Sequence, residues 1–164
     1  MTVATALVSG TDPLPQLAEE AVQQALAKAG LTHANGVLLF LTPEFARHAQ
    51  PTVTAAARTA QCTQVAGGIA SGVFTESGWA VDGPAAAVMV FGDGLSLAHP
   101  SPGDHPLLSY TGATFPREWS DSGVRFGGCF SGSVGYAEAA VWQQSRLNEQ
   151  QLCSVRLLGA QVDI

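Results

Sequence analysis

The segment GGIASG at residues 67–72 recurs further along the chain as GGCFSG at residues 127–132. Each copy ends a stretch of strand-forming residues, and each is followed by more strand-like sequence. A glycine pair at a strand end lets another backbone or a ligand come close, because neither residue carries a side chain. The repeated phrase therefore predicts two tight strand ends and a candidate binding site.

The first copy follows a pattern that alternates strands and helices. Apolar runs at residues 3–9 and 36–41 predict buried strands, and the second, apolar throughout, predicts a central strand. The Asp-Pro pair at residues 12–13 predicts one helix start, and Pro51 predicts another. The N-terminal half is thus expected to run strand-helix-strand-helix into a glycine-containing strand at residues 64–70.

Short strand patterns dominate the sequence after the first copy. Turn signals at residues 77–78 and 82–84 separate them, which predicts an antiparallel meander. Residues 99–121 contain four prolines and predict an irregular connection with one strand near residues 107–111. Further strands are predicted at residues 124–130, 139–142 and 152–158.

These elements predict an α/β fold with α+β character, in which a strand-helix-strand-helix half precedes a mainly antiparallel, β-rich half. Because both glycine phrases follow a strand and lead toward another apolar strand, the pattern also predicts an internal pseudo-repeat. A length of 164 residues suits one domain over residues 1–164. The chain stops in strand-like sequence, so we expect it to be the N-terminal fragment of a longer protein.

Composition narrows the classes of partner. The hydrophobic fraction of 46% and the charged fraction of 12% are typical of an ordered domain. The net charge of −6 and the scattered arginines argue against nucleic acid and against an anionic membrane surface. The sequence has no apolar run that could span a bilayer and no signal peptide, which predicts a cytoplasmic protein. Its three cysteines lack CxxC spacing and are expected to be reduced and packed as small apolar side chains.

The spacing of the candidate residues does not match the sequence motifs of several enzyme classes. Ser71 and Ser131 read G-x-x-S-G, whereas a nucleophile elbow needs G-x-S-x-G before a helix. A hydrolase that uses Ser71 or Ser131 is therefore kept only as an alternative. The sequence contains neither a dinucleotide fingerprint nor a Walker A motif. His99 and His105 are loosely spaced among prolines, so we expect no metal, no cofactor and no catalytic residue.

The glycine phrases themselves are the predicted site. Consecutive glycine N–H groups can form a nest for an anion, and Arg125, just before the second pair, suits a carboxylate. The predicted ligand-binding residues are Gly67, Gly68, Ser71, Arg125, Gly127, Gly128 and Ser131. The aromatic residues expected to line an apolar wall are Phe74, Trp79, Phe126 and Phe130.

The run QVAGGIASGV at residues 64–73, followed by WAV at residues 79–81, resembles the N-terminal FIST domain family. An alanine-rich helix pattern and the run GVLLFLTPEF at residues 36–45 precede it, as in that family. The later Gly-Gly pair at residues 127–128 matches the second half of the same pattern. The resemblance covers most of the chain.

The resemblance implies a sensory, signal-transduction input domain that binds an amino acid or a small carboxylate and is not an enzyme. It also implies a C-terminal partner domain or a signalling output module beyond this chain. Some bacterial proteins resembling the family bind haem and sense nitric oxide, which implies an alternative with His99 or His105 as the axial ligand. A structural or interaction domain without its own ligand is a further alternative.

Overall fold

The computed structural model describes residues 2–112, 114–121, 123–130 and 139–163. Single 3-10 turns lie at Pro43–Phe45 and Arg117–Trp119. The helices and strands are, in chain order, β1 (Thr2–Ser9), α1 (Pro15–Ala29), β2 (Gly36–Leu41), α2 (Ala49–Ala60), β3 (Val65–Ile69), β4 (Val73–Thr75), β5 (Gly78–Ala80), β6 (Ala85–Gly92), β7 (Ser96–Ala98), β8 (Leu107–Thr111), β9 (Arg125–Cys129), β10 (Val141–Gln143), β11 (Arg146–Leu147) and β12 (Leu152–Leu158).

The first sheet has the strand order β1-β6-β2-β3-β10-β11. Strand β2 runs parallel to β3 and antiparallel to β6, so it is an inner strand. Its residues are almost all buried, as expected for a strand covered on both faces. The prediction of a central strand at residues 36–41 is confirmed.

Helices α1 and α2 cover one face of the first sheet. Their buried alanines pack with Leu39, Leu41 and Val88 in one apolar cluster. Proline is the first residue of α1, as predicted, but it is Pro15 and not Pro13. Leu14 is the N-cap and makes no side-chain capping bond, so the predicted start at Asp12 was wrong. Helix α2 begins two residues before the expected Pro51.

The second sheet, in the order β7-β12-β8-β9, packs on the other face of the first. Strand alternation turns Leu108 and Tyr110 of β8 toward Leu38 and Phe91 of the first sheet. Cys153 of β12 completes this second apolar cluster. The molecule therefore has a helical layer, a first sheet and a second sheet, which confirms the predicted α/β class with α+β character.

Four strands of each sheet share one arrangement. The orders β1-β6-β2-β3 and β7-β12-β8-β9 both contain two antiparallel contacts followed by one parallel contact. In the first set, α1 and α2 connect β1, β2 and β3, whereas the described part of the connection from β8 to β9 contains a 3-10 turn and no α-helix. This likeness concerns strand order and direction, and the internal pseudo-repeat itself stays a prediction.

The predicted antiparallel meander after the first glycine phrase was wrong. Strands β4 and β5 form a separate hairpin, and β6 instead pairs with β1 and β2. The strand predicted near residues 107–111 is β8. Within the described ranges, no helix is long and apolar enough to cross a membrane.

Candidate functional site

Each glycine pair lies inside a strand that runs parallel to its neighbour. The sequence predicted instead that the pairs form tight strand ends. Gly67 of β3 is opposite Leu39, and Gly127 of β9 is opposite Ser109. Their φ angles are +148° and +143°, where residues with a side chain are strained. A Cβ atom on either glycine would overlap the carbonyl oxygen of the residue opposite. The predicted close approach of another backbone is therefore present at both positions.

The first pair belongs to the core. Strand β3 is buried over its whole length, and Trp142 of β10 lies beside Gly67. The ring of Phe130 would lie 2.7 Å from a Cβ on Gly68. Side chains of this protein thus fill the space around Gly67 and Gly68, which separates them from the other predicted ligand-binding residues.

The second pair borders a cavity. Strand β9 is the edge strand of the second sheet, and Gly127 and Gly128 are exposed. The cavity beside them has a volume of about 400 Å³. Its described lining consists of Ser109, Thr111, Phe115, Trp119, Gly123, Arg125, Phe126, Gly127, Gly128 and Cys129. The structure thus places Arg125, Gly127 and Gly128 of one strand along the wall of this cavity.

Arg125 is held in a defined orientation at this cavity. Its Nη1 donates hydrogen bonds to Ser109 Oγ and to Ser154 Oγ, each at 3.0 Å. Its guanidinium carbon lies 4.7 Å from the ring centroid of Trp119, a cation–π contact. Burial lowers the pKa of Arg125, yet the group stays charged near neutral pH because arginine titrates far above it. The cavity therefore contains an oriented positive charge.

Strand alternation supplies the polar wall around that charge. Leu108 and Tyr110 face the core, so Ser109 and Thr111 face outward. Ser154 of β12 pairs with Ser109 and contributes a third hydroxyl on the same face. On the corresponding face of the first sheet, apolar side chains pack under helices. The outer face of the second sheet is polar instead, and its Ser109 and Thr111 are themselves almost fully buried.

Ser71, one of the two predicted serines, lies elsewhere. Ser71 is exposed in the bend between β3 and β4, outside the cavity lining. Among the described residues, no histidine is hydrogen-bonded to Ser71. Ser131 lies outside the described residues. Among the described residues, none is placed as a base for Ser71.

The two histidines of the haem alternative line a neighbouring opening of about 650 Å³ that shares Gly123 and Arg125 with the cavity. Both are exposed, and His99 Nδ1 lies 3.2 Å from Gln143 Nε2. Asp104, Asp121 and two prolines form much of the described part of this wall, which is polar and irregular. Of the described residues around this opening, Leu107 and two prolines are the apolar ones, so the haem alternative stays a prediction from the sequence. In the described ranges, no three His, Cys, Asp or Glu side chains are grouped as metal ligands.

The three thiols differ in their surroundings. Cys153 is buried in the core, and burial raises its pKa to about 12. Cys62 is half-buried, and burial raises its pKa as well. Cys129 is exposed at the cavity and donates a hydrogen bond to the Gly112 carbonyl oxygen at 2.9 Å. The expectation that all three pack as core residues was therefore wrong for Cys129.

The predicted aromatic wall is largely replaced by other residues. Phe126 lines the cavity, but Phe130 stacks on Tyr110 in the core, with ring centroids 5.6 Å apart. Phe74 and Trp79 face each other across the exposed β4-β5 hairpin. The residues that the sequence reasoning missed are Ser109, Thr111, Phe115, Trp119 and Ser154. The alternation in LLSYT at residues 107–111 was the available signal for the two hydroxyls of β8.

Comparison with known proteins adds no assignment, since no family model matches the chain and no curated protein matches it significantly. The resemblance to the FIST domain therefore rests on the sequence motifs alone and stays a prediction.

Proposed function

We propose that this chain is a non-catalytic input domain that binds a small carboxylate in the cavity beside β9. The observation that carries the proposal is the orientation of Arg125 by Ser109, Ser154 and Trp119 at the wall of that cavity. A guanidinium has five N–H donors in a planar fork that matches the two oxygens of a carboxylate. The two serine hydroxyl groups that accept from Arg125 Nη1 are neutral, and they fix the orientation of the guanidinium.

The exposed backbone of β9 and the polar face of β8 support the same proposal. The side chains of Ser109 and Thr111 line the cavity with Arg125, so the wall beside the guanidinium is polar. Thr111 itself donates to the Thr114 carbonyl oxygen at 2.7 Å, which ties the loop after β8 to the sheet. A ligand at this place would touch both the sheet and the loop that follows it.

The sensory part of the proposal rests on the FIST-like motifs. A ligand transmits a signal only if it binds one of two arrangements of the protein more tightly than the other. We include in the proposal a cytoplasmic location and a C-terminal partner domain or output module that receives the signal. The hydrolase, haem and pure interaction alternatives stay predictions from the sequence.

The proposal is tested by isothermal titration of residues 1–164 with acetate, benzoate and L-glutamate. At least one of them should bind, and Arg125→Ala should weaken it by tenfold or more, given about 1.5–3 kcal/mol for a hydrogen bond to a charged group. Arg125→Lys should recover only part of the affinity, because an ammonium cannot form the planar fork.

The matched control is Arg47→Ala, which removes an exposed arginine between the first 3-10 turn and α2. It should leave the affinity unchanged. Equal losses in Arg47→Ala and Arg125→Ala would show only an effect of net charge, and would contradict a site at Arg125.

A further inference from the structure

Strand β1 forms one edge of the first sheet, so one side of its backbone has no neighbouring strand among the described residues. It pairs with β6 in a continuous register over its eight residues, without a bulge. It contains no proline and no charged residue, although these are common means by which proteins keep an edge strand from pairing. Such an edge pairs readily with another strand unless a neighbouring group covers it.

The two faces of β1 pack against different elements. Ala4 and Ala6 point toward α1 and belong to the apolar cluster under the helices. Leu7 points the other way and packs with Val73 of the β4-β5 hairpin. Because side chains alternate along a strand, Thr5 shares the face of Leu7. Helix α1 and the hairpin therefore lie on opposite faces of the same edge.

One ion pair joins these two faces across the edge. The carboxylate of Glu76, in the turn of the hairpin, accepts one hydrogen bond from Thr5 Oγ1 and another from Lys28 Nζ of α1. Since Lys28 starts from the helical face and Thr5 points to the opposite face, the Lys28 side chain reaches Glu76 round the open side of β1. The ion pair between Lys28 and Glu76 thus lies beside the unpaired backbone of this strand.

A strand added to β1 would have to displace this ion pair. Neighbouring strands lie about 4.7–4.9 Å apart, which leaves no room for an ammonium and a carboxylate between them. Thr5 is the fourth of the eight residues of β1, so a partner that pairs with most of the strand has to pass the ion pair. Covering the ion pair would also remove water from two charges. It therefore supplies the protection that the sequence of β1 lacks.

The strand that fits this edge is β1 of a second copy of the chain. Since β1 runs antiparallel to β6, a second β1 added antiparallel across a two-fold axis would continue the same pattern. This pairing keeps each face of the strand on its own side, so the row of Ala4, Ala6 and Val8 would continue from one copy to the other. Strand β1 carries no charge, so two copies of it do not repel each other.

We infer that the Lys28–Glu76 ion pair keeps the first sheet from extending into a second copy, and that two copies pair through β1 when the ion pair is removed. The inference concerns a surface separate from the cavity beside β9 and does not depend on the proposed function.

The inference is tested by sedimentation equilibrium of the double variant Lys28→Ala/Glu76→Ala. Its net charge stays at −6, because one positive and one negative charge are removed together. The wild type should sediment at its monomer mass of 16.9 kDa. The double variant should move toward twice that mass, with an association constant at least about tenfold higher. The matched control, Asp104→Ala/Arg156→Ala, removes an ion pair of the second sheet, also without a change in net charge, and should stay monomeric.

Two further measurements identify the surface. Amide hydrogen exchange in β1 should slow in the double variant as its concentration rises, because the outward N–H groups become paired. Adding Val3→Lys to the double variant should restore the monomer, since Val3 is exposed and a lysine on an edge strand opposes pairing.

Circular dichroism checks that each variant is folded. If the double variant unfolds, Lys28→Ala takes its place, because alanine favours the helix at this exposed position. A wild type already paired through β1 would overturn the inference, as would a folded variant that keeps the monomer mass. Self-association that Val3→Lys leaves unchanged would show that another surface is used, and would overturn it as well.

Discussion

Gly67 and Gly127 lie where the backbone of a neighbouring strand leaves no room for a side chain. Each has a φ angle near +145°, and each faces a carbonyl oxygen of the adjacent parallel strand. The repeated phrase allowed this close approach to be predicted, because glycine pairs in strands mark such places. It did not show which pair is accessible, since that depends on Trp142 and Phe130, which are distant from the first pair in sequence.

We predict that alanine substitutions at three glycines lower the free energy of unfolding by different amounts. Gly67→Ala and Gly127→Ala should each lower the free energy of unfolding by at least about 2 kcal/mol, from backbone strain and steric overlap. Gly128→Ala should cost less than about 1 kcal/mol, because its Cβ would meet only the Tyr110 ring at 3.9 Å. Urea denaturation followed by circular dichroism measures all three. A loss for Gly128→Ala as large as that for Gly127→Ala would contradict the described geometry.

Among the elements, the β4-β5 hairpin is joined to α1 and β1 by one carboxylate, in addition to its apolar packing. Glu76 accepts hydrogen bonds from Lys28 of α1 and from Thr5 of β1. These two bonds hold the pKa of Glu76 down at about 2, below its ordinary value of 4.5. The folded-state pKa is depressed, so this stabilisation is present above the unfolded pKa and is lost as the pH falls from about 4.5 toward 2.

We therefore predict that Glu76→Gln lowers the melting temperature slightly at pH 7. The difference from the wild type should shrink as the pH falls below 4.5 and vanish near pH 2. The effect should be small because Lys28 and Glu76 are both about half exposed. Glu149→Gln, at an exposed carboxylate before β12, is the control and should show no such difference. A difference in melting temperature between Glu76→Gln and the wild type that is as large at pH 2 as at pH 7 would contradict this role of Glu76.

The elements also show where sequence reasoning succeeds and fails. The apolar run of β2 predicted a central strand because burial on both faces leaves a direct mark in the sequence. The predicted meander failed because β6 pairs with β1 and β2, and these distant partners leave no local signal. In the site, Arg125 was predictable from its place beside the glycines. Trp119 was not, because it lies in an irregular segment that folds back over β9.

In the whole molecule, the two sheets differ in what covers their outer faces. Helices α1 and α2 bury the outer face of the first sheet, and in the described ranges no α-helix covers the second. The polar side chains of β8, β9 and β12 lie on this second face, and the candidate site is there. On this second face the edge strand β9 is exposed at Gly127, Gly128 and Cys129, whereas β8 is buried along its length.

The same layering predicts an order of thiol reactivity. Cys129 should react first with Ellman's reagent at pH 8, because it is exposed at the cavity. Cys62 should react more slowly, since it is half-buried with a raised pKa, and Cys153 should react only after unfolding. The rate of colour development in native and denatured protein gives this order, and Cys129→Ser should remove the fast phase. Rapid labelling of Cys153 in the native protein would mean that the two sheets do not pack as described.

The central claim, a carboxylate site on β9 beside Arg125, is tested most directly by amide chemical shifts in the ¹⁵N-labelled chain titrated with benzoate. We predict saturable shifts of the Gly127, Gly128 and Ser109 amides and of the Trp119 indole N–H, with little change around Gly67 and Gly68 in the core. The Arg125→Ala variant should lose these shifts, and Arg47→Ala should keep them. Shifts that are absent, or that cluster away from β8 and β9, would contradict the account.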